Sequence, residues 1–296
     1  YVMAKVEDYK AILKKLGANE KVCEEILDYC DNKFNVADYK PKEIEDEPFV
    51  EIWQSIVDEI NSENINEVMN ERIPHGEQAI ELKEPKKVSI EIYNSIAGNI
   101  PVIYAKDEED FYEIVTKLIY KGRPVPNIEK TGASFAYGVS NKFIVLSNKP
   151  YSNIPAQKLG LEDEQWRDYS IIIRREHECT HYFTKRFLGS SQNNLHDELI
   201  ADFTGIMCAI GEFKAKWFLA GMGIDLYPEP QEVGRFPVYT SKLSSEAAEI
   251  MKKIIIKVAN NVEKWSKQDS VKQMSRNERV LFLCSKSLLD LYMMKD

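Results

Sequence analysis

Apolar positions recur at helical spacing along most of the chain, and one central stretch breaks that rhythm. Val6, Tyr9, Ile12, Leu13 and Leu16 repeat with a period near 3.6 until Gly17-Ala18-Asn19 interrupts them. A second helix is predicted from Glu20 to about Asn32, with Cys23, Leu27 and Cys30 on a shared, buried face. The acidic segment from Tyr39 to Pro48 holds two prolines and is a predicted linker. Ile52, Ile56 and Ile60 then mark one face of a helix over Phe49 to about Asn61. His75, between Pro74 and Gly76, is expected in a solvated turn.

From Lys87 the period shortens to two. Val88 to Tyr93 alternate as a strand, Pro101 to Tyr104 form a second, and Asp107 is a predicted N-cap for a helix running to Tyr120. Ala133 to Tyr137 and Lys142 to Ser147 flank Gly138-Val139-Ser140-Asn141, which predicts a hairpin. Helical spacing returns from Asp163 to Phe187 and again from Leu195, where it is expected to run through Gly211 to Ala220. A loop rich in Gly and Pro follows from Gly221 to Pro237, then helices over Lys242 to Lys267, with Ile250, Ile254 and Val258 on one face, and over Ser275 to Met294. The expected fold is therefore α+β and mainly helical. Its expected divisions are a helical region over 1–86, a core with a small sheet over 87–210, and a helical subdomain over 211–296.

Composition narrows the class. A chain of 296 residues with 44% hydrophobic content can bury a sizeable core. A net charge of -9 argues against a nucleic-acid partner, because phosphate binding draws on clustered Lys and Arg. No window of about 18 uncharged apolar residues is present, so no integral membrane segment is expected. Five cysteines, Cys23, Cys30, Cys179, Cys208 and Cys284, are odd in number and widely spread, which suggests reduced thiols. With no basic and apolar leader at the start, the expectation is a cytoplasmic protein; export stays open because the first residue is not Met.

The chemistry concentrates at His177-Glu178-Cys179-Thr180-His181. At about 100° per residue, His177 and His181 stand one turn apart on one helix face and can reach one metal ion, while Glu178 lies beside that face. This is the H-E-x-x-H pattern of zinc metalloproteases: borderline-soft zinc favours neutral imidazole, and hydrolysis needs a nearby base. The metzincin route to a third ligand is closed, since Thr184 and Phe187 stand where glycine and histidine are required. Downstream, His196, Asp197 and Glu198 are three candidates in a row. On that helix Leu195, Leu199, Phe203, Ile206 and Ile210 form the apolar stripe, and Glu198 and Asp202 lie at its edge. Two carboxylates bordering a buried face are costly unless paired or bound to metal. Their spacing assigns Glu198 to the metal and Asp202 to an acceptor for a ligating imidazole.

At His177, Glu178, His181, Glu198 and Asp202 the chain resembles the gluzincin metallopeptidases, the thermolysin-like group, over about residues 163 to 210. The resemblance implies a zincin-like fold, bound zinc, and a peptide or protein substrate. It also implies that the edge hairpin before the motif helix lines a cleft and captures substrate backbone. Asp197 stands where the family commonly has asparagine, and the family's later catalytic histidine has no counterpart after His196. The expected mechanism has zinc on His177, His181 and Glu198 with a fourth position for water, and Glu178 as general base. The oxyanion donor is then another residue type. Tyr227, Arg235 and Tyr239 lie in or beside the Gly- and Pro-rich loop; Tyr239 is favoured as the neutral donor, and Arg235 for a substrate carboxylate. Two alternatives remain: a catalytically silent, zinc-stabilised binding or regulatory protein, and a metallohydrolase acting on a non-peptide bond. The oligomeric state is not legible.

Overall fold

The computed structural model describes residues 2–224 and 234–295. It is a mainly helical α+β protein with one four-stranded sheet. Contacts divide it into two units: Pro41–Tyr182, and a discontinuous one that joins Tyr1–Lys40 to Phe183–Asp296. These boundaries differ from the three consecutive regions expected over 1–86, 87–210 and 211–296. Periodicity locates helices, but it does not show which of them share a core.

The Pro41–Tyr182 unit holds helices α3 (Phe49–Glu59) and α4 (Ile65–Arg72), strands β1 (Val88–Ser95) and β2 (Gly98–Ala105), helix α5 (Glu108–Ile114), and strands β3 (Ala133–Tyr137) and β4 (Lys142–Ser147). Helices α1 (Val2–Lys15) and α2 (Glu20–Tyr29) precede it in the other unit. The strand order is β1-β2-β4-β3, with β2 and β4 parallel and the outer pairs antiparallel. Every residue of β4 is buried, as a central strand covered on both faces requires. Asp107 caps α5 as predicted, accepting from the backbone N–H of Glu109 and Asp110, but the helix widens into a π-turn at Val115–Ile119.

Two expectations fail in this unit. Ile52 is exposed, and α3 buries Ile56 together with Phe49, Val50 and Trp53, because the bulky aromatics turn the helix onto β1 and β2. His75 is not a free loop residue: it is half-buried, and its ring nitrogens meet the carbonyls of Gly76 and Asn70.

Helix α6 (Asp163–Phe187) has the predicted bounds, and the division between units falls within its last turns. Arg175 on α6 lies over the Tyr93 ring, 4.0 Å from its centroid, and bonds the Tyr104 hydroxyl at 3.1 Å. The next residue, Glu176, is fully buried, accepts from the Tyr93 hydroxyl, and lies 3.5 Å from Arg175 Nε. A charged pair thus seats the motif helix on the β1–β2 face.

In the discontinuous unit, helices α7 (Leu195–Ile210), α8 (Ala215–Gly221), α9 (Phe236–Tyr239), α10 (Ser245–Ser266), α11 (Asp269–Lys272), α12 (Arg276–Ser285) and α13 (Leu288–Met293) join α1 and α2. The buried stripe of α10 includes Ile250, Ile254, Ile255, Val258 and Val262, and α2, α8 and α13 pack on this helix. Each such side chain contributes about 1.5–3 kcal/mol on full burial, so the stripe fixes the helix's orientation. The chain ends are tied together through side chains: the Cys30 thiol lies 3.8 Å from Met251 sulfur, and Asn32 donates to the Cys284 carbonyl at 2.7 Å. All five cysteines are free thiols.

Two predicted helices are each broken by a capping residue. Gly211, at φ 76°, ends α7, because a left-handed residue cannot continue the helix that was expected to reach Ala220. Ser287 caps α13 and separates it from α12, where one helix was expected over Ser275 to Met294. No helix among the described residues is long and apolar enough to cross a membrane.

Candidate functional site

Two clusters carry the expected site residues, one in each unit. The first is on α6. His177 is 8% exposed, and its Nε2 lies 3.0 Å from Nε2 of His181. Nδ1 of His177 meets the Tyr151 hydroxyl at 3.0 Å. A neutral ring that donates its Nδ1 proton to Tyr151 directs the Nε2 lone pair toward His181. Two nitrogens on one tetrahedral zinc at about 2.0–2.1 Å stand about 3.3 Å apart, so the separation fits a shared ion. Glu178 is half-buried and, among the described residues, forms no hydrogen bond or ion pair.

Tyr151 is itself held. Its backbone N–H donates to Ser170 Oγ at 2.8 Å, and the Arg174 guanidinium binds the carbonyls of Lys149 and Pro150 beside it. Arg174 therefore stands three residues before His177 on α6 and fixes the loop that supports the same imidazole. Sequence reasoning missed both residues, since no motif spacing links Tyr151 to His177 across 26 positions.

The second cluster is on α7 and α9. Asn194 and Asp197 form a capping box at the start of α7, and Asp197 is buried there. Glu198 is 2% exposed and Asp202 fully buried, as expected. Arg235 directs one guanidinium arm to Glu198 Oε2 at 2.8 Å and the other to Asp202 Oδ2. The Tyr239 hydroxyl lies near Glu198: burial raises its pKa, and the neighbouring carboxylate adds to the shift. Arg235 and Tyr239, expected to meet substrate, thus both lie at Glu198. Tyr227 lies outside the described residues.

Tyr29 is a further residue that the sequence did not flag. Its hydroxyl donates to the Tyr239 carbonyl at 2.9 Å and accepts the Leu195 N–H at 3.0 Å, joining the first residue of α7 to α9.

His196 is turned to other work. It is 4% exposed, packs edge-on against Phe34 with centroids 5.3 Å apart, and pairs Nε2 with the Leu283 carbonyl at 3.0 Å. Burial drives its pKa down to about 4, with the carbonyl bond opposing. The unfolded chain takes up this proton near pH 6.5 and the folded chain does not, so stability present above pH 6.5 is lost as pH falls toward 4, by about 3 kcal/mol. Urea unfolding at pH 7.5 and pH 5 measures the loss, and His196→Gln should flatten the difference. An undiminished pH dependence in that variant would assign the acid sensitivity to other groups.

Residues 71–142 and 140–295 match the model of a family described as a family of unknown function, DUF7005. The match spans well over half of the chain, which belongs to that family. No curated protein and no solved structure matches it.

Proposed function

We propose that this protein is a zinc-dependent metallopeptidase. The observation that carries the reading is the pair of Nε2 atoms of His177 and His181, 3.0 Å apart on one helical turn with Glu178 between them. Glu198, on α7, is the carboxylate that helical geometry assigns as the third ligand. Two imidazole nitrogens and one carboxylate form the donor set of catalytic zinc sites such as thermolysin's. Bound zinc would supply a water of pKa about 7 and polarise the scissile carbonyl.

The chain's own residues account for the rest. Tyr151 fixes the His177 ring, Glu178 takes a proton from the attacking water, and the same carboxyl returns it to the leaving amine. The absence of any histidine after His196 leaves stabilisation of the tetrahedral intermediate to other donors.

The purified protein is expected to carry one zinc per chain and to cleave a peptide library in a chelator-sensitive, zinc-restorable way. Zinc without cleavage would favour a binding or regulatory protein, or a hydrolase of another bond. Failure to retain stoichiometric zinc would remove the reading altogether.

A further inference from the structure

Glu198 and Asp202 are two carboxylates buried four residues apart on α7, and Arg235 bridges them with both arms of its guanidinium. We infer that Arg235, with the Tyr239 hydroxyl beside it, is a positioning residue that holds Glu198 as a fixed, one-oxygen metal ligand. The inference rests on the metal site proposed above.

The two carboxylates stand one turn apart on α7 and share one cation. A guanidinium presents two parallel donors in a rigid fork, so it can neutralise both acids and set the distance between them. With Oε2 of Glu198 on Arg235, ligation is directed to Oε1. The Tyr239 hydroxyl lies near the same carboxylate.

The clamp is built into the backbone around it. Arg235 N–H donates to the Gly221 carbonyl at 3.1 Å, and Phe236 N–H to Met222 at 3.0 Å, so the residue is pinned to the end of α8. Gly234 passes so close to Gly223 that a Cβ there would lie 2.1 Å from the Gly223 nitrogen. Tyr29 holds the Tyr239 carbonyl from the other side. Supports that orient a metal ligand typically carry 10- to 100-fold in metal affinity.

This role differs from the substrate contacts expected of the same two residues. A donor to the tetrahedral intermediate changes kcat and leaves the metal alone. A positioning residue changes the metal site itself.

The test is a zinc titration against a chromophoric chelator, with the absorption spectrum of the Co²⁺-substituted protein as a second readout. Arg235→Ala removes a cation from two buried carboxylates and is open to misfolding, so Arg235→Lys, Tyr239→Phe and Gly234→Ala are used, each verified as folded by circular dichroism. Arg235→Lys keeps the charge and loses the fork; Gly234→Ala displaces the backbone and leaves every charged group in place. Arg235→Lys and Gly234→Ala are expected to weaken zinc binding about 10- to 100-fold and to alter the Co²⁺ spectrum, with a smaller loss of about tenfold in Tyr239→Phe. Folded variants that keep wild-type affinity and spectrum would overturn the inference while leaving the metal site standing. A wild-type protein that binds neither ion would remove both.

Discussion

Glu178→Gln is expected to lower the rate of peptide hydrolysis by about 100- to 10,000-fold, the usual contribution of a positioned general base, while zinc content stays at the wild-type level. Glutamine keeps the size of the side chain and its half-buried place on α6, but it accepts no proton at neutral pH. His177 and His181 stand one residue before and three after it and keep their pairing, so the proposed ligand pair is expected to be unaffected. Single-turnover hydrolysis and metal analysis on the same sample separate the two effects. Wild-type kcat in the variant would assign proton transfer to another group. Joint loss of zinc and activity would make Glu178 a structural part of the metal site.

The second large effect concerns stability. Arg175→Met should destabilise the protein by about 3–5 kcal/mol, the usual result of breaking a buried pair by removing one partner. Glu176 has a side chain with no exposure, and it would keep the Tyr93 hydroxyl while losing its cation. Methionine fills much of the space over the Tyr93 ring, which confines the change to charge and hydrogen bonding. Thermal unfolding followed by circular dichroism should show the midpoint about 10 °C lower. A shift of less than a degree or two would mean that the pair contributes almost nothing net.

The strongest sequence signals were those in which local pattern and burial coincide. Helix α6 and the hairpin strands β3 and β4 have the bounds that periodicity assigned, because each is long or sharply bounded and follows one period throughout. The burial of Glu198 and Asp202 was likewise visible on a helical wheel. Tertiary choices were not. Isoleucines at 52, 56 and 60 mark one face, yet the larger side chains of Phe49 and Trp53 decide which side meets the sheet. Gly211 looked tolerable inside a helix until its left-handed φ ended α7. Tyr151, Arg174 and Tyr29 support the candidate site through contacts 24 to 210 residues apart, and no periodic signal spans such distances. The roles expected of Tyr239 and Arg235 came from residue type and from their place in or beside the Gly- and Pro-rich loop. Geometry turns Arg235 to Glu198, with the Tyr239 hydroxyl near the same carboxylate.

The discontinuous unit has a consequence during synthesis. Cys30 packs against Met251 and Asn32 bonds Cys284, so these two residues of the N-terminal segment meet their partners only after more than two hundred further residues have been made. At about 5–20 residues per second, the apolar faces of α1 and α2 wait roughly 10–45 s. Pro41–Tyr182 is contiguous and can complete its core in that interval. The nascent chain therefore carries an early, unsatisfied segment that must be kept from pairing with the wrong surface. Slowing translation after Tyr182 lengthens that exposure, whereas speeding it shortens the period in which the N-terminal helices are open to aggregation or to a chaperone.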